Sequence, residues 1–433
     1  MSPRLKILIL HYLGDPRSWR TAMVEHELCL PSFAPDHEYV VHDASLPLPE
    51  FVRDIEFDGI VLTQTFLGRR RHARIFQGVL ADYAFVQSSS AYKIALPQDD
   101  YECSGVLDRW LADWRVDRIY TVCPQHWDVL YPLNHAAGKL RLGYTAYLSD
   151  TLIERCRSPR PFHARTVDVS YRTVRMPAHI GRLGYEKWAI AERFRNAARG
   201  RKLVLDISAD RKDAVVGTQW LAFLGNSKFV LGANSGSSMY DPTGEISERA
   251  IDYQVHHPDA SFEEIEAACF PGVDGRYVFT AISPRNLECG LLESAQILTR
   301  GEYSGVLEPH THYIPMHADL SDAAEVFAQM ADVATVLKMI SRCKEALLSH
   351  PGLRYRHHIA ELLAAIASEA PAGRNGSTDP QHALFERYRT YKLRAEPAHW
   401  RKLRARERFQ QTLVALGAQR VKRLLMGRRE RAS

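Results

Sequence analysis

Ala281-Ile-Ser-Pro-Arg-Asn-Leu-Glu-Cys-Gly-Leu-Leu-Glu-Ser-Ala-Gln-Ile-Leu298 decides how the rest of the chain is read. Ser283 and Pro284 mark a helix start, Ser as a cap and Pro already set for the first turn. Leu287, Leu291, Leu292, Ala295 and Leu298 recur at three- and four-residue spacing, which predicts one helix with an apolar stripe packed on a sheet. Glu288 falls beside that stripe near the positive end of the helix, where a carboxylate is favoured and can reach a bound pair of hydroxyls. Glu293 lies five residues on, about 140° away around such a helix, so the two acids cannot form a dyad.

Working outward, residues 277–280 read as a short strand leading into that helix, and Ser261 with Glu264 forms a capping box on an earlier one. Upstream, residues 166–172 predict a strand that delivers Arg172 to its end. A turn at 181–184 then opens a helix from residue 185 with Lys187 in its first turn, where a cation gains meaning only beside an anion. Strands at 202–205 and 228–231 follow. Residues 232–245 are small and hydroxyl-rich, so Asn234, Ser235, Gly236 and Ser237 can bring backbone and N–H or O–H donors close to a ligand, or form a plain surface loop. Neither a P-loop nor a GxGxxG fingerprint occurs there. Residues 301–305 and 312–316 read as two short strands, and His310 and His312 are too isolated to predict a metal site.

The first third repeats the pattern. Apolar runs at 5–10, 39–42, 59–63, 93–96 and 118–122 alternate with helix-length segments, an α/β arrangement. Ligands bind at the carboxyl ends of strands in such folds, which makes His11, Gly14 and Arg17 candidates for lining a crevice. The basic run 67–72 suits either a phosphate or a solvated helix start. The loop 97–102 gathers Asp99, Asp100 and Glu102, acids that could orient sugar hydroxyls and, in Asp99 and Asp100, act as catalytic carboxylates, or simply cap the next helix.

A chain of 433 residues with 45% apolar and 25% charged residues can bury two or three cores. No run approaches the roughly eighteen apolar residues that span a bilayer, and the N-terminus carries a strand-like run without a cleavage signature, so a cytoplasmic protein is expected. Seven scattered cysteines without a CxxC pair predict reduced thiols and no structural zinc. The five expected units are 1–155, 156–332, crossing helices at 333–370, a linker at 371–380 and a basic tail at 381–433. That tail holds 15 Lys and Arg against 4 acids, leaving the body mildly acidic. Phe409, Leu413, Leu416, Val421, Leu424 and Leu425 give the tail an apolar stripe. Such a helix can lie on an anionic inner membrane or dock on its own protein. Nucleic acid is not expected as a partner, for want of stacking aromatics and a binding module.

Two successive α/β units, Arg172 and Lys187 in the second, and Ser-Pro-Arg-Asn-Leu-Glu before Cys-Gly together resemble group 1 glycosyltransferases of the GT-B fold. The Glu-Tyr-Ser-Gly and His-Tyr-Ile-Pro elements downstream look like their spore-maturation-type subgroup. The resemblance spans about residues 90–360. It implies two Rossmann-like domains facing a cleft, with a helical C-terminal extension. It also implies a nucleotide-diphosphate sugar as donor, Glu288 on the ribose hydroxyls, Arg172 and Lys187 on the diphosphate, Asn234, Ser235, Gly236, Ser237 and Arg285 around the donor, and the 97–102 loop facing the acceptor. The same resemblance implies a retaining hexosyl transfer without metal or other cofactor to a glycan or lipid-linked acceptor, in surface polysaccharide or glycoconjugate synthesis. Position 280, where the family's upstream glutamate would fall, is Thr. A non-catalytic sugar-binding scaffold of the same fold and a membrane-associated assembly partner are the two other classes that fit the pattern.

Overall fold

Six short apolar runs build the first sheet: β1 (Lys6–His11), β2 (Glu38–Asp43), β3 (Gly59–Leu62), β4 (Tyr92–Ala95), β5 (Arg118–Thr121) and β6 (Leu140–Leu142). All neighbours are parallel, in the order β2-β1-β3-β4-β5-β6. A parallel sheet is covered on both faces, and β1 and β3 are accordingly buried at every position. The computed structural model describes residues 4–15, 21–369 and 381–429.

The second sheet comprises β7 (Val167–Arg172), β8 (Leu205–Ser208) and β9 (Ser227–Gly232), then, after the two-stranded β10 (Ser235–Ser237) and β11 (Phe279–Ala281), β12 (Ala295–Thr299) and β13 (Ile314–Met316). Its order is β13-β12-β9-β7-β8, again parallel, whereas β10 and β11 pair antiparallel outside it. The α/β class with two parallel sheets is thus as expected.

Several local expectations are corrected. The decisive helix runs only from Pro284 to Leu291, and the residues that continued its apolar period, Ala295 and Leu298, belong to β12. The break falls at Glu293, which adopts φ 54° and pairs with Lys344 at 2.6 Å. Residues 303–305 form a 3-10 turn instead of a strand, β8 begins where a strand was expected to end, and the edge strand β6 was not anticipated. Lys187 lies in the second turn of helix Arg182–Ala197, not in a first turn.

The helix Val333–Ser349 packs on Pro284–Leu291, where Gly290 gives the room that Leu347 and Cys343 fill. The chain then crosses back: helix Tyr355–Glu369 lies on the first sheet, with Ile366 against the backbone of Gly59. At the crossing, Leu148 N–H donates to the Leu353 carbonyl at 2.6 Å and Tyr355 N–H to that of Leu148 at 3.2 Å, zipping the outgoing and returning passages together. The helix His382–Arg429 docks its first turns on the first domain through buried Phe385, Tyr388 and Trp400, and Tyr388 donates to the Val41 carbonyl at 2.9 Å. Leu393 and Phe409 remain exposed. Arg17, the linker 371–380 and the side chains of Leu413, Leu416, Val421, Leu424 and Leu425 lie outside the described residues.

Candidate active site

The helix Pro284–Leu291 starts where β11 ends, and its Ser283 to Asn286 capping box fixes the first turn. Glu288 is half-buried one turn on and accepts a hydrogen bond from the indole Nε1 of Trp220 at 2.7 Å. Burial pushes its carboxyl above the ordinary range, while the Trp220 bond and the Arg285 charge act against that rise. Glu25, on a first-domain helix, pushes it further up, so Glu288 feels a group across the domain boundary.

Arg285 stands on the same helix. Its guanidinium carbon lies 5.1 Å from the Tyr171 ring and 5.4 Å from that of Trp220, and it donates to the Arg172 carbonyl at 2.7 Å. Such stacking holds a guanidinium in place while leaving donors for a ligand. Lys187 donates to the Ser235 hydroxyl at 3.2 Å. Its pKa falls to about 8, chiefly from burial and then from the neighbouring Arg285 charge, with Asp99 opposing. Two adjacent cations at the carboxyl edge of β7, neither in a direct ion pair among the described residues, form a ready anion site.

Arg172 is not part of it. Its guanidinium is consumed by the second domain itself, donating to Asp206 Oδ1 at 2.6 Å and to the carbonyls of Asp206, Asp213 and Tyr171, over the Phe223 ring. The expectation that it holds a diphosphate is corrected on that ground: its charge is paired with Asp206 and four hydrogen bonds already occupy four of its five N–H groups.

Asn234 is buried beside Gly301, its Nδ2 on the Arg300 carbonyl at 3.0 Å and its Oδ1 without a partner. Gly236, at φ 139°, brings β10 so close to β11 that any side chain there would collide with the Phe279 carbonyl. Ser237 turns away, donating to the Ile180 carbonyl at 2.9 Å. The small-residue stretch therefore divides: Ser235 meets Lys187, Asn234 is turned to the Arg300 carbonyl, and Gly236 and Ser237 hold the backbone.

Asp99 and Asp100 also part company. Asp99, at φ 50°, is 54% exposed and is held by Arg71 at 3.2 Å and by the Tyr101 hydroxyl at 3.0 Å. Asp100 is fully buried, accepts from Thr121 and Tyr131, and has its carboxyl pushed up by burial. A sealed acid cannot touch a substrate, which corrects its expected catalytic role. The basic run upstream proves neither a phosphate cradle nor a solvated face. Buried Arg70 binds the carbonyls of Leu67, Asp99 and Glu102, Arg71 pairs with Glu102 at 2.7 Å, and Arg69 lies over Tyr12, so the run shapes the acidic loop. His11 is buried beside Asp43, its pKa pushed down to about 3 by burial, and is structural.

The domains meet around these groups. Cys103 and Gly105 N–H donate to the carbonyls of Asp241 and Pro242, both at 3.0 Å, and Tyr101 stacks on Phe279. Sequence reasoning missed Trp220, whose contact with Glu288 spans 68 residues and leaves no local sign beyond an aromatic near a helix start. Among the described residues no group of three His, Cys, Asp or Glu is arranged to hold a metal ion. Among the same residues no helix is long and apolar enough to cross a membrane.

No family model matches the chain, and no curated protein is similar to it in sequence. Solved structures are similar to it in fold. An alpha-glucosyltransferase in complex with UDP and a 13-mer DNA containing an HMU base superposes with TM-score 0.51 at 11% identity, over 84% of this chain and 99% of the other. A complex of an alpha-glucosyltransferase with UDP-glucose and DNA containing an abasic site gives the same TM-score and coverage at 9% identity. Anabaena Alr3699/HepE in complex with UDP-glucose reaches 0.48 at 9% identity, over 84% of this chain and all of its own. The exclusion of nucleic acid drawn from the sequence is overturned by the first two: enzymes of this fold are seen on DNA, so the lack of a familiar binding module excludes nothing. Two parallel sheets in this order, a crossing helix returned to the first domain, and the first two superpositions give the chain the GT-B fold.

Proposed function

We propose that the protein is a glycosyltransferase that moves a sugar from a nucleotide-diphosphate sugar to an acceptor hydroxyl bound against the first domain. The observation that carries this reading is the grouping of the Glu288 carboxylate with the Lys187 and Arg285 cations at the carboxyl edge of the second sheet. Glu288 receives the ribose hydroxyls. Lys187 and Arg285 hold the diphosphate and compensate the charge that develops on its bridging oxygen as the glycosidic bond breaks. Asp99, exposed on the first domain, orients the acceptor. The motif order supports kinship with the spore-maturation-type subgroup, and that resemblance favours a retaining transfer.

A thermal-shift screen with UDP, GDP, TDP and CDP sugars tests it. One donor is expected to raise the melting temperature by ~3 °C or more at saturation and to be hydrolysed or transferred. A flat response to all four defeats the proposal. The acceptor panel should contain glycans, lipid-linked sugars and DNA bearing hydroxymethyl bases. We also propose that the basic C-terminal helix places the enzyme on an anionic surface, because Leu393 and Phe409 are exposed among its cations. Flotation with phosphatidylserine vesicles should fall at least about fivefold when residues 401–433 are removed, given ~1 kcal/mol per basic residue near such a surface. Unchanged flotation refutes the membrane placement.

A further inference from the structure

Glu288 carries more support than a ribose ligand exposed on a helix would have. Trp220 stands on a different helix, Thr218–Gly225, and reaches it with a single directed donor at 2.7 Å. The indole is itself fixed on two sides, stacked on Phe223 with ring centroids 5.6 Å apart and flanked by the Arg285 guanidinium at 5.4 Å. Arg172 closes the far side of Phe223 at 4.5 Å, and Tyr171 the far side of Arg285 at 5.1 Å. The result is a continuous ladder from Arg172 through Phe223, Trp220 and Arg285 to Tyr171, in which the indole N–H of Trp220 is given to Glu288. An aromatic side chain held this firmly cannot follow a wandering carboxylate, so the carboxylate is held to it.

From this arrangement we propose that Trp220 is a positioning residue for the nucleotide site: it anchors one oxygen of Glu288 so that the other stays ionised and aimed at the sugar ring of the nucleotide. The proposal rests on the nucleotide-binding reading above. Its physical need is clear from the surroundings of Glu288. Burial and Glu25 favour the protonated carboxyl, and the groups acting the other way are the Trp220 donor and the Arg285 charge. A protonated Glu288 would keep one acceptor oxygen and turn the other into a donor, losing half its capacity for a hydroxyl pair. Burial raises the Glu25 carboxyl as well, with the Ser149 hydroxyl and Arg155 acting the other way, so the pressure it puts on Glu288 is that of its ionised form.

The experiment measures UDP affinity by calorimetry from pH 5 to 8 in the full chain, with GDP, TDP or CDP substituted if the wild type prefers one of them. Trp220→Phe keeps a ring against Phe223 and Arg285 but deletes the N–H. It is expected to weaken binding about tenfold at neutral pH, as loss of a hydrogen bond to a charged group does, and to move the acid limb of the affinity profile to higher pH. Glu288→Gln should remove that limb, and Trp220→Phe added to Glu288→Gln should cost no more than Glu288→Gln alone, since the anchor then has nothing left to hold ionised. Trp220→His, which restores a ring N–H, should recover part of the affinity. A Trp220→Phe loss that is equal at every pH, or that adds in full to Glu288→Gln, overturns the proposal, because packing or direct contact with the base would then account for it. If Trp220→Phe does not fold, the affinity and acid limb of Trp220→His decide: a limb unmoved and an affinity unchanged without the native indole geometry refute the anchor. If Glu288→Gln binds UDP like the wild type across the whole range, the nucleotide reading itself has failed, and the anchor with it.

Discussion

Glu288→Ala is expected to weaken UDP or UDP-sugar binding by about 100-fold or more and to remove transfer with it. A carboxylate accepting two hydroxyls makes two charge-assisted bonds of ~1.5–3 kcal/mol each, and every 1.4 kcal/mol is tenfold in affinity. The alanine variant also leaves the Trp220 N–H half-buried without an acceptor, which adds to the loss. The pH dependence has a definite sign. Burial raises the Glu288 carboxyl above its ordinary value, so the ionised form is complete well above that raised pKa and binding falls as pH drops through it. Calorimetric titration of the wild type and the variant checks both statements. Equal affinities, or a wild type indifferent to acid down to the ordinary carboxylate range, contradict them.

Lys187→Ala should act on the chemical step more than on binding, lowering kcat ~100–1,000-fold, the usual cost of removing a group that stabilises developing charge. The wild-type lysine has its pKa lowered to about 8 by burial and by Arg285. Its charge is therefore present below that pH and is lost above it. In the free enzyme kcat/KM should decline as pH rises through about 8, and the variant should lack that decline. Because the leaving diphosphate favours the charged lysine, the same limb in kcat should lie at higher pH than in kcat/KM. An initial-rate profile between pH 6 and 10 decides the matter. A variant that keeps the alkaline limb assigns it to another group.

The sequence carried the sheets well and the site only in part, and particular residues show why. Parallel strands are buried on both faces, so residues 6–11 and 59–62 announce themselves as apolar runs without any partner being known. The helix over Pro284–Leu291 was visible in its cap and period, but its end was not. Leu292, Ala295 and Leu298 continue the helical spacing, and the turn is made by Glu293 at positive φ, with no Gly or Pro to mark it. Asp99 and Asp100 are adjacent acids with the same local credentials. Only the buried hydroxyls of Thr121 and Tyr131, supplied from elsewhere in the fold, separate the sealed one from the exposed one. Arg172 was likewise placed at the right strand end, and lost its expected role to Asp206, 34 residues away. Spacing along the chain gives location; competition among polar groups is settled by tertiary packing.

The zipped passages at Leu148 and Leu353 have a mechanical meaning. The two chain segments between the sheets run side by side and are bonded to each other, a build that suits them to turn together as one hinge. Tyr101 on Phe279 and Gly105 on Pro242 are further contacts that join the domains. On the proposed reading, any parting of the domains to admit a sugar nucleotide would have to break these contacts first, so Tyr101 and Phe279 would bear on the association rate as well as on the affinity.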